Sequence, residues 1–169
     1  KAQAQALSRL ESTISEPTDT GVATGLQKFW AGWQAVANNP DDIAARKVLL
    51  GDAKALVSQI SAGYTAVETQ WAQTRIDAST MVTEINSTAN GVANLNEQIR
   101  SILVSGGSAN ELIDQRDLLI TGLSALVGAT ARERADGTVD VMVGGNALVR
   151  GVDAKEIVIS GANVMPDAS

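Results

Sequence analysis

From Leu50 to Ile102 the side chains return to one face at alternating steps of three and four residues. The stripe reads Leu50, Ala53, Val57, Ile60, Tyr64, Val67, Trp71, Thr74, Ala78, Met81, Ile85, Thr88, Val92, Leu95, Ile99, Ile102, and only Thr74 and Thr88 break its apolar identity. Such a 3/4 rhythm keeps one seam of a helix turned toward partner helices over its whole length. No proline interrupts it after Pro40, which sits where a first helical turn accepts it. The spacing therefore predicts one helix over about Pro40 to Val104, and at 1.5 Å per residue it would be roughly 95 Å long. A helix of that length cannot keep its stripe dry alone, so other helices must cover it.

The flanking segments read as those partners. Leu7, Leu10 and Ile14 stand in helical register near the start, and Pro17 ends that run. Thr18, Asp19 and Thr20 can each cap the next helix. That helix, over about Val22 to Ala37, presents Leu26, Phe29, Trp30, Trp33 and Ala37 on one face. The spacing favours a packed core over an aromatic binding platform. It predicts that this helix folds antiparallel onto the start of the long one, burying Trp30 near Leu50 and Trp33 near Lys47. Ser105-Gly106-Gly107-Ser108 ends the long helix with residues that suit a helix C-terminus. A return helix over about Ala109 to Val127 then turns Leu112, Ile113, Leu119, Ile120, Leu123 and Leu126 inward.

After Gly128 the period drops to two. Thr130 to Arg134 and Thr138 to Val143 read as strands joined by a turn at Asp136-Gly137. Ala147 to Arg150 and Glu156 to Ser160 are two further candidate strands. The expectation is an α+β chain: an elongated antiparallel helical bundle with one very long helix over residues 1–127, then the beginning of an incomplete outer β domain over 128–169.

Composition removes most chemistry. The 169 residues contain no cysteine and no histidine, so thiolate sites, disulfides and the usual general base are all missing. Aromatics are only 3%, against 44% apolar residues, which suits closely packed helices with small side chains. The formal charge of −6 carries no basic run, and no apolar run approaches a membrane span, so neither nucleic acid nor membrane is expected as a partner. Glu111, Asp114 and Asp117 share one helix face, but a solvated acidic face explains them better than a metal. No nucleophile, base and orienting group can be assembled, and no cofactor-binding signature is present. An enzyme is not expected. Lys1 is neither Met nor part of a secretory signal, and the expectation is a piece of a longer protein.

What remains is structural. Phe29, Trp30, Trp33, Trp71 and Arg116 are the expected core. Tyr64, Val67, Trp71 and Ala78 lie beyond the reach of both short helices, so they are expected to meet helix 1–14, a missing segment or another subunit. Arg116 is flanked at three and four residues by Leu112, Ile113, Leu119 and Ile120. It therefore emerges on the packed face and needs an acceptor across the turn, opposite Ile99, with Asn96 and Glu97 the nearest polar candidates.

Four blocks in fixed order carry a resemblance: DTGVATGLQKFWAGWQAVANNPDDIAARKVLL (19–50), EINSTANGVANLNEQI (84–99), ANELIDQRDLLITGLSALV (109–127) and DGTVDVMVGGNALVRG (136–151). Together they resemble the flagellar hook-associated protein 1 family, from about Ala6 to Gly161. The blocks are packing and turn signatures, and their order gives the specificity. The resemblance implies a non-catalytic subunit that joins hook to filament in the bacterial flagellum. It implies identical subunits in a ring, with hook, filament and other hook-associated proteins as neighbours. It also implies export through the flagellar type III channel and an export chaperone for the full-length protein. The terminal helices of such proteins have no counterpart here. Alternatives from the same residues are a flagellin or hook-associated protein 3 type, and a non-flagellar coiled-coil sensory stalk.

Overall fold

A computed structural model describes residues 8, 18 and 21–165 of the chain. The first helix whose bounds fall among the described residues, α1, runs Val22–Asn38. Its N-cap is Gly21, with no side-chain cap. The Thr18 carbonyl accepts the Gly21 amide at 3.0 Å and the Thr24 hydroxyl at 2.8 Å, so backbone as well as side chain secures this helix start. Asp19, Thr20 and the expected helix 1–14 lie outside the described residues.

The long helix, α2, is a single element, Ile43–Val104. It begins three residues later than expected, because Asp42 caps it: its carboxylate accepts the amides of Ala44 at 2.8 Å and Ala45 at 3.2 Å. Pro40 stays in the turn before it. At the far end the Gly107 amide returns to the Ile102 carbonyl at 2.9 Å, with Gly106 at φ +81°. That left-handed position is one only glycine takes without strain. A third helix, α3, runs Asn110–Val127 and is stopped by Gly128, also left-handed.

Four short strands come next: β1 Thr130–Glu133, β2 Val139–Val143, β3 Asn146–Arg150 and β4 Asp153–Ala154. They form one antiparallel sheet in the order β1-β2-β3-β4. Ala131 pairs with Val141 and Glu133 with Val139 across the Asp136-Gly137 turn. The expected strand at 156–160 does not form. Its alternation is real, since Ile157 packs on the core while Val158 faces solvent. The Ile157 backbone is instead held by one side chain: Asn86 Nδ2 donates to the Ile157 carbonyl at 2.8 Å and Asn86 Oδ1 accepts the Ile157 amide at 2.9 Å.

The chain divides into two compact units, and the boundary falls inside α2. The first comprises Lys1–Arg75 with Ala162–Ser169, the second Ile76–Gly161. In the second, Ile85, Ala89, Val92 and Ala93 of α2 meet Ile120 and Leu123 of α3 and Val139, Val141, Leu148 and Val149 of the sheet. In the first, α1 lies antiparallel on α2: Gly25 is opposite Leu56 and Gln59, and Gly32 is opposite Leu49 and Asp52.

Candidate assembly surface and its buried anchor

The way α1 meets α2 decides which residues are left for other chains. Gly25 and Gly32 turn to α2, and with Thr24, Phe29 and Val36 they are the less exposed positions of the helix. Small residues win here because they let the backbones approach. A methyl at Gly25 would stand 2.5 Å from Gln59 Oε1 and 3.3 Å from Leu56 Cδ1. Trp30 and Trp33 consequently lie one residue off the contact and are 56% and 55% exposed. This corrects the expectation of two buried tryptophans. Counting apolar side chains marks the greasiest face of a helix, whereas two glycines mark the closest one. Phe29 is half-buried, with its ring centre 5.6 Å from that of Trp30 and 6.3 Å from that of Trp33.

The same one-residue offset appears on α2. Leu49, Asp52, Leu56 and Gln59 are half-buried, as is Ala53 of the predicted seam, while Leu50 and Val57 of that seam are 61% and 63% exposed. Ile60 and Tyr64 are exposed as well. A shallow groove of about 350 Å³ opens among Leu50, Ala53, Lys54, Val57 and Ser58. Further on, Val67, Trp71 and Ala78 are half-buried. Trp71 Nε1 is buried with no hydrogen-bond acceptor among the described residues.

The second unit holds a polar anchor that the apolar pattern only partly signals. Asn96 is buried on the seam of α2, between Val92 and Ile99. Its amide nitrogen donates to the carbonyls of Val139 (2.8 Å) and Gly151 (2.6 Å). Its oxygen accepts the Val139 amide (3.1 Å) and Arg116 Nη1 (3.3 Å). One side chain so ties α2 to β2, to the turn after β3, and to α3. Arg116, 4% exposed, also donates from Nη1 to the Gly137 carbonyl at 2.9 Å, and from Nε to the exposed Asp117 at 3.4 Å. The Gly137 carbonyl is on offer because Gly137 sits at φ +82° in the β1–β2 turn, close against Leu103. Asn86 and Asn96 both act as backbone clamps. The signal available in the sequence was an asparagine interrupting or flanking an apolar helical stripe.

Among the described residues no three His, Cys, Asp or Glu side chains gather in one place, and no helix is long and apolar enough to cross a membrane. The arrangement can hold backbones together and present an apolar face.

Comparison with known proteins gives this surface a context. Flagellar hook-associated protein 1 of Escherichia coli K12 is 32% identical over 159 residues, covering 92% of this chain and 29% of that protein. The protein of the same name from Bacillus subtilis 168 is 32% identical over 153 residues, covering 83% of this chain and 30% of its own length. The solved structure of the flagellar hook junction protein FlgK from Burkholderia pseudomallei is 33% identical, with a TM-score of 0.66. The match covers 91% of this chain and 28% of that one. The chain thus spans about three-tenths of the relatives it matches. The family model for the flagellar hook-associated protein FlgK helical domain matches residues 7–169, and the chain belongs to that family.

Proposed function

We propose that this chain is the helical part of a structural subunit of the bacterial flagellum that joins hook to filament, and that it acts by self-assembly and not by catalysis. The observation that carries the reading is the family match across residues 7–169. The exposed apolar face of α1 and α2 is what a part built to be covered would present. In this reading residues 1–127 supply the helical part and 128–169 the first strands of a β part. The partners are identical subunits in a ring, with hook, filament and other hook-associated proteins as neighbours. The full-length subunit reaches the flagellum through the type III export channel, with an export chaperone.

The test is replacement. The matching segment of the Bacillus subtilis protein is exchanged for residues 7–169 of this chain, and swimming and filament attachment are scored. Restored swimming is expected. A stable, exported chimera that leaves cells without attached filaments would refute the reading.

A further inference from the structure

Two places in the sequence set an Asn or Asp directly before glycine: Asn90-Gly91 and Asp136-Gly137. At such a pair the glycine nitrogen can attack the side-chain carbonyl carbon, because no Cβ on the glycine crowds the closing ring. Asn90-Gly91 lies inside α2, where helical bonding occupies that nitrogen. Asp136-Gly137 lies in the β1–β2 turn, and there the fold holds each reacting group by a bond of its own. Asp136 Oδ1 accepts the hydroxyl of the buried Thr138 at 2.6 Å and its amide at 3.1 Å. The Gly137 amide donates to the Arg134 carbonyl at 3.1 Å. The Gly137 carbonyl accepts Arg116 Nη1 at 2.9 Å, from the same guanidinium nitrogen that reaches Asn96.

We propose that Asp136-Gly137 is a self-modification site: in the unfolded chain it rearranges to isoaspartate, and folding shuts the reaction off through Thr138, Arg134 and Arg116. The step needs only water. The Gly137 nitrogen bonds to Asp136 Cγ, and its proton leaves with a carboxyl oxygen as water, closing a cyclic imide. Water then adds at the Asp136 main-chain carbonyl, and the bond from that carbon to the Gly137 nitrogen breaks. Addition at the other carbonyl only restores aspartate. The mass is unchanged, but the main chain now runs through the Asp136 side chain and is longer by its Cβ. Folding opposes each requirement. The nitrogen must give up the Arg134 carbonyl, and the carboxyl must swing off Thr138 before Cγ meets it. The carboxyl must also gain a proton to lose an oxygen as water, and the Thr138 bonds favour its ionised form. Burial is not the protection, since Asp136 is exposed within this chain. An isoaspartate does not fit the turn. The added atom moves the Gly137 carbonyl off Arg116, and Leu103 stands too close against Gly137 to let the turn shift. Arg116 and Asn96 together join α2, α3 and the sheet, so the modified chain loses that anchor. The turn thereby records time spent unfolded, a property of this chain that does not rest on the proposed function.

Incubation of the 169-residue chain at neutral pH, folded in buffer or unfolded in guanidinium chloride, tests it. Isoaspartate is counted by enzymatic methylation of isoaspartyl carboxylates and located by peptide mapping. Position 136 should convert several-fold faster in the unfolded chain. Among folded chains, Thr138→Val keeps the branched shape, loses the hydroxyl and should speed conversion several-fold. Leu123→Ala, which loosens the core without touching the turn, should leave the rate near the native one, with the folded fraction of each variant checked by circular dichroism. Chains isolated with isoaspartate at 136 should unfold at a lower denaturant concentration than native ones. Equal rates in the two states, or no conversion in either, overturn the proposal. A folded Thr138→Val chain that converts no faster than the native one, or no faster than Leu123→Ala, overturns the lock. An isoaspartyl chain with the native midpoint overturns its cost to the fold. Should Thr138→Val fail to fold, Asp136→Asn decides: ammonia loss at 136 as fast in the folded chain as in the unfolded one refutes the lock.

Discussion

One helix with one rhythm carries two different fates. Between Ile43 and Glu84, α2 has no buried residue among the described positions; from Ile85 to Ile99 it has six. The 3/4 spacing runs through both halves, so it does not explain the difference. What differs is the cover. The second half receives the branched side chains of α3 and the sheet, and uses Asn86 and Asn96 to hold backbone that an apolar face could not. The first half receives α1, which presents glycines and keeps its tryptophans outside. A heptad pattern thus announces that a stripe will be covered somewhere, without saying that the same chain does it.

The sharpest way to break this comparison is to remove the anchor. Asn96→Ala strips acceptors or donors from the Val139 amide and carbonyl, the Gly151 carbonyl and Arg116 at once. Each buried group left unpaired costs about 1–3 kcal/mol, and the total loss should be about 3–5 kcal/mol in urea unfolding. A loss under about 1 kcal/mol would mean water replaces the amide and the anchor is cosmetic.

Arg116→Ala comes next, at about 2–3 kcal/mol, because two carbonyl-type acceptors lose a charged donor in a buried place. Arg116→Lys should recover only part of that, since one ammonium cannot reproduce the guanidinium fork. In a double-mutant cycle with Asn96→Ala the two losses should fall well short of adding. Additive losses would place the two residues in separate networks.

The same residues show how much was legible in the sequence. The Asp136-Gly137 turn, the helix stops at Gly106 and Gly128, and Arg116 opposite Ile99 with Asn96 as one of two candidate acceptors could all be read from local rules, because each depends on a few neighbouring residues. The inner face of α1 could not. Choosing between Trp33 and Gly32 requires knowing how near α2 comes, and close approach rewards the absence of a side chain. The stretch 156–160 failed for a related reason: its alternation described the burial of Ile157 correctly, but its hydrogen-bond partner is a helix side chain and not a strand. Gly51, Gly63 and Gly91 look alike in sequence, yet among the described residues only Gly91 has a neighbour, Leu119, whose Cδ1 a methyl there would approach to 3.0 Å.

Two smaller perturbations probe the uncovered half. Trp33→Ala should cost about 1 kcal/mol or less, against about 2–5 kcal/mol for Leu123→Ala in the covered half. Equal losses would erase the contrast. Gly51→Ala should stabilise the first unit by up to about 1 kcal/mol, because the helix gains propensity and no described residue stands within 4 Å of the new methyl. Destabilisation there would reveal a close neighbour on that side of α2.

The smallest effect lies in the β1–β2 turn of the covered half, and it is read through pH. Asp136 Oδ1 accepts the Thr138 hydroxyl at 2.6 Å and the Thr138 amide at 3.1 Å. The hydroxyl bond chiefly, then the amide, with Arg134 adding its charge against a small desolvation, holds the Asp136 carboxyl below its ordinary 3.8. A folded-state pKa below the unfolded one favours the native turn wherever the carboxylate is ionised in both states. That contribution is present above the unfolded value and is lost as pH falls through the folded one. Asp136→Asn keeps an oxygen acceptor for Thr138 and removes the titration. The stability difference between the native chain and this variant should therefore be level from neutral pH down to about 4.5 and shrink steadily below that. A difference that stays constant down to strongly acid pH would show that the bonds to Thr138 do not depend on the charge of Asp136.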